Sequence, residues 1–179
     1  MKSRSVAGDP DRATRFLTEL QQVDWRRYGQ SGRSKKDLRQ MRLRLEREHG
    51  PENPLKAAEG GFYDIDFALL YLRLKSAGIF YPVLNTPARI DIIEKMGHLE
   101  RADAEFLRDA ATFYRAVDHG LRVYSGHTEG NLPSAEAQLE VLTELVRRWT
   151  PEHLSRQPLE GVLTQIRGRT RDIFDKLFS

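Results

Sequence analysis

Residues 56–74 read KAAEGGFYDIDFALLYLRL, and this stretch decides the fold of the chain. A glycine pair precedes two acids one residue apart, and a mainly apolar segment follows them. Asp64 and Asp66 permit two interpretations. As a DxD pair they could hold Mg²⁺, which proteins bind through one or two carboxylates together with substrate phosphates. As acids at a helix start they would be stabilised by the helix dipole and by the unpaired N–H groups there.

The sequence that follows the two acids favours the helix, and their spacing then argues against a shared metal ion. Residues two apart point the same way on a strand, but on a helix they diverge by about 200°. The apolar segment after the acids is too long for a short strand. We therefore predict a helix over about residues 62–77, ended by Gly78, with Asp64 and Asp66 on diverging sides and no metal site in this chain. Because this helix is apolar on most sides, we expect it to be central and the most buried.

The glycine pair before this helix is not a phosphate-binding loop. Neither GxxxxGK[ST] nor GxGxxG surrounds Gly60 and Gly61. Glycine accepts positive φ and allows another backbone to come close. We expect one or both of these reasons to apply at the start of the helix.

Two helices are predicted before this segment. Asp9 is placed to cap the first, with Pro10 at its first position, over about residues 10–27. A second, basic helix extends over about residues 34–49. The predicted apolar stripes are Phe16, Leu17, Leu20 and Val23 on the first helix, and Leu38, Met41 and Leu45 on the second. The arginines of the second helix are expected on its other sides, either solvated or facing phosphates or an acidic partner.

More helices are predicted after the central segment. Thr86 and Pro87 are typical of a cap followed by a helix start, and that helix reaches about residue 96. Further helices are expected over about residues 102–124 and 134–149, and two more after Pro151 and Pro158. The prediction is an all-α fold, an antiparallel bundle of about seven to eight helices. It forms a single domain over residues 1–179, with a weak seam near 150–158.

Composition excludes several classes of protein. The chain has 179 residues, of which 39% are hydrophobic and 31% charged, as is typical of a globular domain. No apolar run reaches the ~20 residues that span a bilayer. No cysteine is present for disulfides or thiolate chemistry. The net charge of +3 gives little support for nucleic-acid binding, so we expect a cytoplasmic protein that binds neither nucleic acid nor membrane.

The central segment also carries a family pattern. Lys56, a short spacer, the glycine pair, two further residues and Asp-Ile-Asp-Phe resemble the helical domain that follows the nucleotidyltransferase fold in glutamine synthetase adenylyltransferases. A related domain occurs in PII uridylyltransferases. Asp66 stands where that family usually has Glu. The blocks KSRSVAGDPDRATRF, DLRQMRLRLERE, LNTPARIDIIEKM and FLRDAATFYRAVDHGLRVYSGHTEGNLP resemble the family in the same order, so the resemblance covers roughly residues 2–150.

The resemblance implies a function for a longer parent protein. Such a parent would move AMP between ATP and a tyrosine of glutamine synthetase, with ATP and Mg²⁺ held by a nucleotidyltransferase fold upstream of this segment. The chain itself is then expected to be an accessory or regulatory domain without catalytic residues or cofactors of its own. A second hypothesis is an interaction module that binds PII-type signalling protein or glutamine synthetase through exposed arginines and residues 128–133, with no direct role in the active site.

The resemblance also implies site residues. Five are expected at the junction with the catalytic fold or at its nucleotide cleft: Lys56, Gly60, Gly61, Asp64 and Asp66. A lysine can neutralise phosphate charge there. Asp118 and His119, where the family commonly has Glu-His, are expected to form a structural polar pair on a long helix.

Overall fold

The caps and prolines of the sequence divide the chain into helices. The computed structural model describes residues 7–28, 32–75, 85–126 and 130–179, with the backbone alone for residues 20–28, and these ranges contain eight helices and no strand. The prediction of an all-α bundle is confirmed. The helices are α1 (Pro10–Tyr28), α2 (Gly32–His49), α3 (Phe62–Lys75), α4 (Thr86–Lys95), α5 (Arg101–Ser125), α6 (Glu136–Arg147), α7 (Glu152–Ser155) and α8 (Leu159–Phe178).

One predicted helix cap is confirmed and another is wrong. Asp9 caps α1 as predicted, because its Oδ1 accepts hydrogen bonds of 3.0 Å from the N–H groups of Asp11 and Arg12. The predicted cap Thr86 is wrong by one residue. Asn85 caps α4 instead, its Oδ1 accepting from the N–H of Ala88 at 2.9 Å. Asparagine is a stronger cap than threonine, and a proline is tolerated in the first turn of a helix.

Helix α3 lies at the centre of the bundle, as predicted. It packs against α2, α4, α5 and α8. Its side chains Ile65, Ala68, Leu69 and Leu72 are all buried. Helix α5 is the second large contributor to the core, and it contacts α3, α4, α6 and α8. The turn that precedes α3 is therefore held between several helices.

Residues on both sides of the expected seam share one hydrophobic cluster. Leu142 and Val146 of α6 belong to it, and so do Leu159 and Val162 of α8. The description of residues 1–179 as a single domain remains a prediction. Among the helices that the structure describes, none has the length and apolar character needed to cross a membrane.

The predicted apolar stripes need correction on α1 and α2. Phe16 is 61% exposed and Met41 is 55% exposed, whereas Arg42 is fully buried. Leu38 and Arg42 are four residues apart and therefore share the inner face of α2, which turns Met41 outward. The side chains of Leu20 and Val23, and the predicted stop at Gly78, lie outside the residues that the structure describes.

Candidate functional site

Both glycines of the turn before α3 are required by close backbone packing. Gly60 has a φ of +69°, and a Cβ there would lie 2.2 Å from the carbonyl oxygen of Arg167 on α8. A Cβ at Gly61 would lie 2.7 Å from the carbonyl oxygen of Lys56. Positive φ and close approach are the two reasons that the sequence predicted, and both are confirmed. The turn is consequently pressed against α8.

Asp64 joins this turn to two neighbouring helices. Its side chain is completely buried, and Oδ1 lies 2.5 Å from Nε of Arg42 on α2. Oδ2 accepts a hydrogen bond of 2.9 Å from the N–H of Gly60. Nη1 of Arg171 on α8 is 3.7 Å from the same oxygen. The acid is thus a counter-ion inside the bundle, four residues from the glycine whose backbone it binds.

The buried arginine is neutralised on several sides. Arg42 donates a hydrogen bond of 2.8 Å to the carbonyl of Ala58 in the turn, and its Nη1 is 3.3 Å from Oε2 of Glu46. Arg171 donates to the same Glu46 oxygen at 2.8 Å. Arg171 also pairs with Asp175 at 2.9 Å and lies 3.8 Å from Glu59. The two arginines are therefore compensated by several acids, which is how a protein tolerates charges in its interior. We call Arg42, Glu46, Asp64 and Arg171 the buried ion network.

Burial changes the acidity of the central carboxyl group. Removal from water raises the pKa of Asp64 from 3.8 to about 6, and the nearby charges of Arg42 and Arg171 oppose that rise. The fully buried position makes desolvation the largest cause. Protonation of Asp64 is therefore easier in the folded protein than in the unfolded chain.

A second set of hydrogen bonds fixes the other side of the turn. The hydroxyl of Tyr114 on α5 donates to the carbonyl oxygen of Gly60 at 2.5 Å. Arg167 of α8 donates to the carbonyl oxygen of Pro54 at 2.7 Å. Burial raises the pKa of Tyr114, so its hydroxyl keeps the proton that it donates. Three helices, α2, α5 and α8, thus hold one loop.

Asp66 is held by a different arginine, on α4. Nη2 of Arg89 donates to Oδ1 of Asp66 at 2.8 Å and to the hydroxyl of Thr86 at 3.1 Å. The Asp66 side chain is 24% exposed, and it lines an open cleft of about 710 Å³ between α2, the turn, α3 and α4. Asp64 and Asp66 therefore have separate partners on separate helices, which agrees with the predicted divergence.

Neither carboxylate fits a Mg²⁺ site. Asp64 is buried against two arginines, and Asp66 is paired with a third. Within the ranges that the structure describes, no three His, Asp or Glu side chains are grouped so as to hold a metal ion.

Lys56, Asp118 and His119 lie together on the α5 side of the turn. Nζ of Lys56 is 2.9 Å from Oδ1 of Asp118, and both side chains are 24% exposed. Arg122 is 3.1 Å from the other oxygen of Asp118. His119 packs edge to face on Trp149 at the end of α6, with ring centroids 4.7 Å apart. Asp118 and His119 thus face different neighbours.

The five expected junction residues therefore separate into two groups. Gly60, Gly61 and Asp64 are buried inside this domain. Lys56 and Asp66 keep partly exposed side chains on opposite sides of the turn. Sequence reasoning missed Arg42, Arg89 and Trp149. The one usable signal was the spacing of Arg42 from Leu38, which places both on one helix face.

A comparison with family models identifies the relatives of this fold. The model described as GlnD PII-uridylyltransferase matches residues 30–178. The chain belongs to this family. The match covers α2 to α8 and includes both the glycine turn and the buried ion network.

Similar proteins in three bacteria are each named bifunctional glutamine synthetase adenylyltransferase/adenylyl-removing enzyme. The relative from Streptomyces coelicolor is 28% identical over 167 residues, which is 83% of this chain and 16% of the relative. That from Rhodopseudomonas palustris strain BisB5 is 31% identical over 145 residues, 79% of this chain and 14% of the relative. That from Hahella chejuensis is 29% identical over 141 residues, 76% of this chain and 14% of the relative.

The chain is thus a helical domain related to those of the glutamine synthetase adenylyltransferases. The matched segment spans only 14% to 16% of the length of these three relatives.

Proposed function

We propose that this chain is the accessory helical domain of a glutamine synthetase adenylyltransferase-like enzyme. In a longer parent protein it packs beside a nucleotidyltransferase fold and supports the transfer and removal of AMP on glutamine synthetase in the cytoplasm. The observation that carries the proposal is the family match over residues 30–178, together with relatives that share this enzyme name. ATP and Mg²⁺ belong to the catalytic fold of the parent.

The role of the turn in this proposal is to present a fixed surface. The buried ion network and the hydrogen bonds of Tyr114 and Arg167 hold residues 54–61 from three directions. Gly60, Gly61 and Asp64 act indirectly, because they determine where the turn lies. Lys56 and Asp66 are the members of the set whose side chains can reach a neighbouring domain, and of the two the Lys56 ammonium group suits a nucleotide phosphate.

The test uses the parent protein and its AMP transfer to glutamine synthetase. Removing residues 30–178 should abolish transfer, and Lys56→Ala should lower turnover roughly tenfold, equivalent to about 1.4 kcal/mol of lost transition-state stabilisation. Lys95→Ala, which removes an exposed lysine at the end of α4, is the matched control and should leave turnover unchanged. Circular dichroism would confirm that both variants fold. Full activity without the domain, or in Lys56→Ala, would refute the proposal.

A second candidate function is favoured by the name of the matching family, which includes PII. In that case the chain is a module that binds a PII-type signalling protein or glutamine synthetase, with no role at the active site. Calorimetric titration of the chain with PII separates the two. Binding by the isolated chain, combined with full AMP transfer in Lys56→Ala, would favour the module.

A further inference from the structure

A surface of unusual composition lies on the α5 side of the turn. It is formed by Lys56 of the turn, Arg115, His119 and Arg122 of α5, and Trp149 at the end of α6. We call these five residues the α5 surface. Arg115, His119 and Arg122 follow one another at spacings of four and three, so they share one face of the helix. The rings of His119 and Trp149 are in contact, which joins α6 to this face.

The α5 surface carries an excess of positive charge. Lys56 and Arg122 both bind the single acid Asp118. Arg115 lies over the ring of Phe62, 6.0 Å from its centroid, and forms no ion pair with any acid in the described part of the chain. In the buried ion network, by contrast, the acids around the two arginines are at least as many as the arginines. Three cations and one acid therefore remain on this exposed face.

The same surface exposes a large aromatic side chain. Trp149 is 42% exposed, beside the exposed ring of His119. Tryptophan and arginine are the side chains most enriched among the residues that contribute most to protein–protein binding. An exposed tryptophan on a face with more cations than acids suits a partner with an acidic surface.

We infer that the α5 surface docks on an acidic face of the nucleotidyltransferase fold in the parent protein. This inference rests on the proposed function and adds the contact surface and the charge of its partner. Two observations favour that occupant. Lys56 belongs to the turn that carries the family pattern, so the surface is continuous with the proposed junction. The matched segment also makes up only 14% to 16% of the three relatives, so most of the chain of each relative lies outside it and is available as a partner.

The experiment compares the isolated 179-residue chain with the parent protein by hydroxyl-radical footprinting and mass spectrometry. Labelling of Trp149 should fall roughly fivefold in the parent, because an exposed ring becomes buried in the interface. Met41, which is 55% exposed on α2, provides the internal control and should be labelled equally in both. Zero-length carbodiimide cross-linking should join Lys56 to an acid of the nucleotidyltransferase fold.

Charge reversal provides the matched variants. Arg115→Glu in the parent should restore labelling of Trp149, whereas Arg101→Glu, at an 84% exposed position on the same helix, should not. Equal labelling of Trp149 in chain and parent would overturn the inference, while AMP transfer by the same parent would leave the proposed function standing. A different result would refute the proposed function, namely a parent that keeps AMP transfer after residues 30–178 are removed.

Other occupants would also be recognised. Protection that appears only after glutamine synthetase is added would assign the α5 surface to that protein and overturn the inference. Protection that depends on protein concentration would assign it to a second copy of the chain, with the same consequence. A Lys56 cross-link to a different domain of the parent would overturn the choice of partner.

Discussion

Asp64 and Asp66 are two residues apart on one helix, yet they occupy opposite environments. Asp64 is fully buried and binds Arg42, Arg171 and the backbone of Gly60. Asp66 is 24% exposed beside an open cleft, and it binds Arg89 alone among the described ions. The comparison shows that the first acid of this short motif belongs to the interior of the bundle, whereas the second belongs to its surface. Substitutions should therefore have very unequal effects at the two positions.

The largest effect is expected from Asp64→Ala. Removing this carboxylate leaves Arg42 charged and buried, which typically costs about 3–5 kcal/mol in the free energy of unfolding. Chemical denaturation monitored by circular dichroism measures the loss. Asp66→Ala on the same helix is the control, and equal losses at the two positions would invalidate the comparison.

The next largest effect is expected from Gly60→Ala. The positive φ costs about 1 kcal/mol or more, and the approach of Cβ to Arg167 adds overpacking, so we expect a total of roughly 2–4 kcal/mol. Gly97→Ala separates the two terms, because Gly97 has a φ of +72° but nothing within 4 Å of the added Cβ. If both variants lose the same stability, close packing at Gly60 has no energetic role.

The buried acid Asp64 also makes stability depend on pH. Between pH 3.8 and about 6, folded Asp64 retains a proton that the unfolded chain releases. Its contribution to the free energy of unfolding therefore decreases as pH rises through this window, by on the order of 2 kcal/mol. Exposed acids with lowered pKa, such as Glu48, act in the opposite direction.

Comparison of the unchanged protein with Asp64→Asn removes the contribution of those exposed acids, because they titrate equally in both proteins. Because the amide does not titrate, the cost of this substitution should be larger at about pH 4.5 than at about pH 7.5. Urea unfolding at the two values measures it. A cost that grows toward neutral pH would mean that the arginines outweigh burial at Asp64.

The smallest effect is expected from Asp66→Ala. The pair with Arg89 is partly exposed and therefore screened by water, so its loss should cost about 0.5–1 kcal/mol. Thermal unfolding of this variant should shift by only a few degrees. A loss comparable to that of Asp64→Ala would show that the Asp66–Arg89 pair beside the cleft contributes as much to stability as the buried pair of Asp64.

Much of the fold could be predicted because its signals are local. Caps such as Asp9, prolines at helix starts and the glycine pair each act within a few residues, and the apolar run after Asp66 identifies the central helix. The error at Thr86 arose because two adjacent residues, Asn85 and Thr86, can both cap a helix, and the stronger cap, asparagine, comes first. These features depend on the backbone near them, which the sequence specifies directly.

The site could be predicted only in part, because its partners are distant in sequence. Arg42 is 22 residues from Asp64, and its burial depends on that acid; an arginine considered alone is expected at the surface. The pattern Leu38, Met41, Leu45 fits one rotation of α2, but Leu38 and Arg42 fit another. Lys56 and Asp118 could be named as separate positions, while their ion pair depends on how α5 packs against the turn.

The measurement that most directly tests the structural role of Asp64 is a double-mutant cycle with Arg42→Met and Asp64→Leu. Each single variant should lose several kcal/mol of unfolding free energy, because it removes the nearest counter-ion of a fully buried charge. The double variant should lose much less than the sum, giving a coupling of at least about 2 kcal/mol. Additive losses would contradict the account, since Asp64 would then not be the counter-ion that fixes the turn before α3.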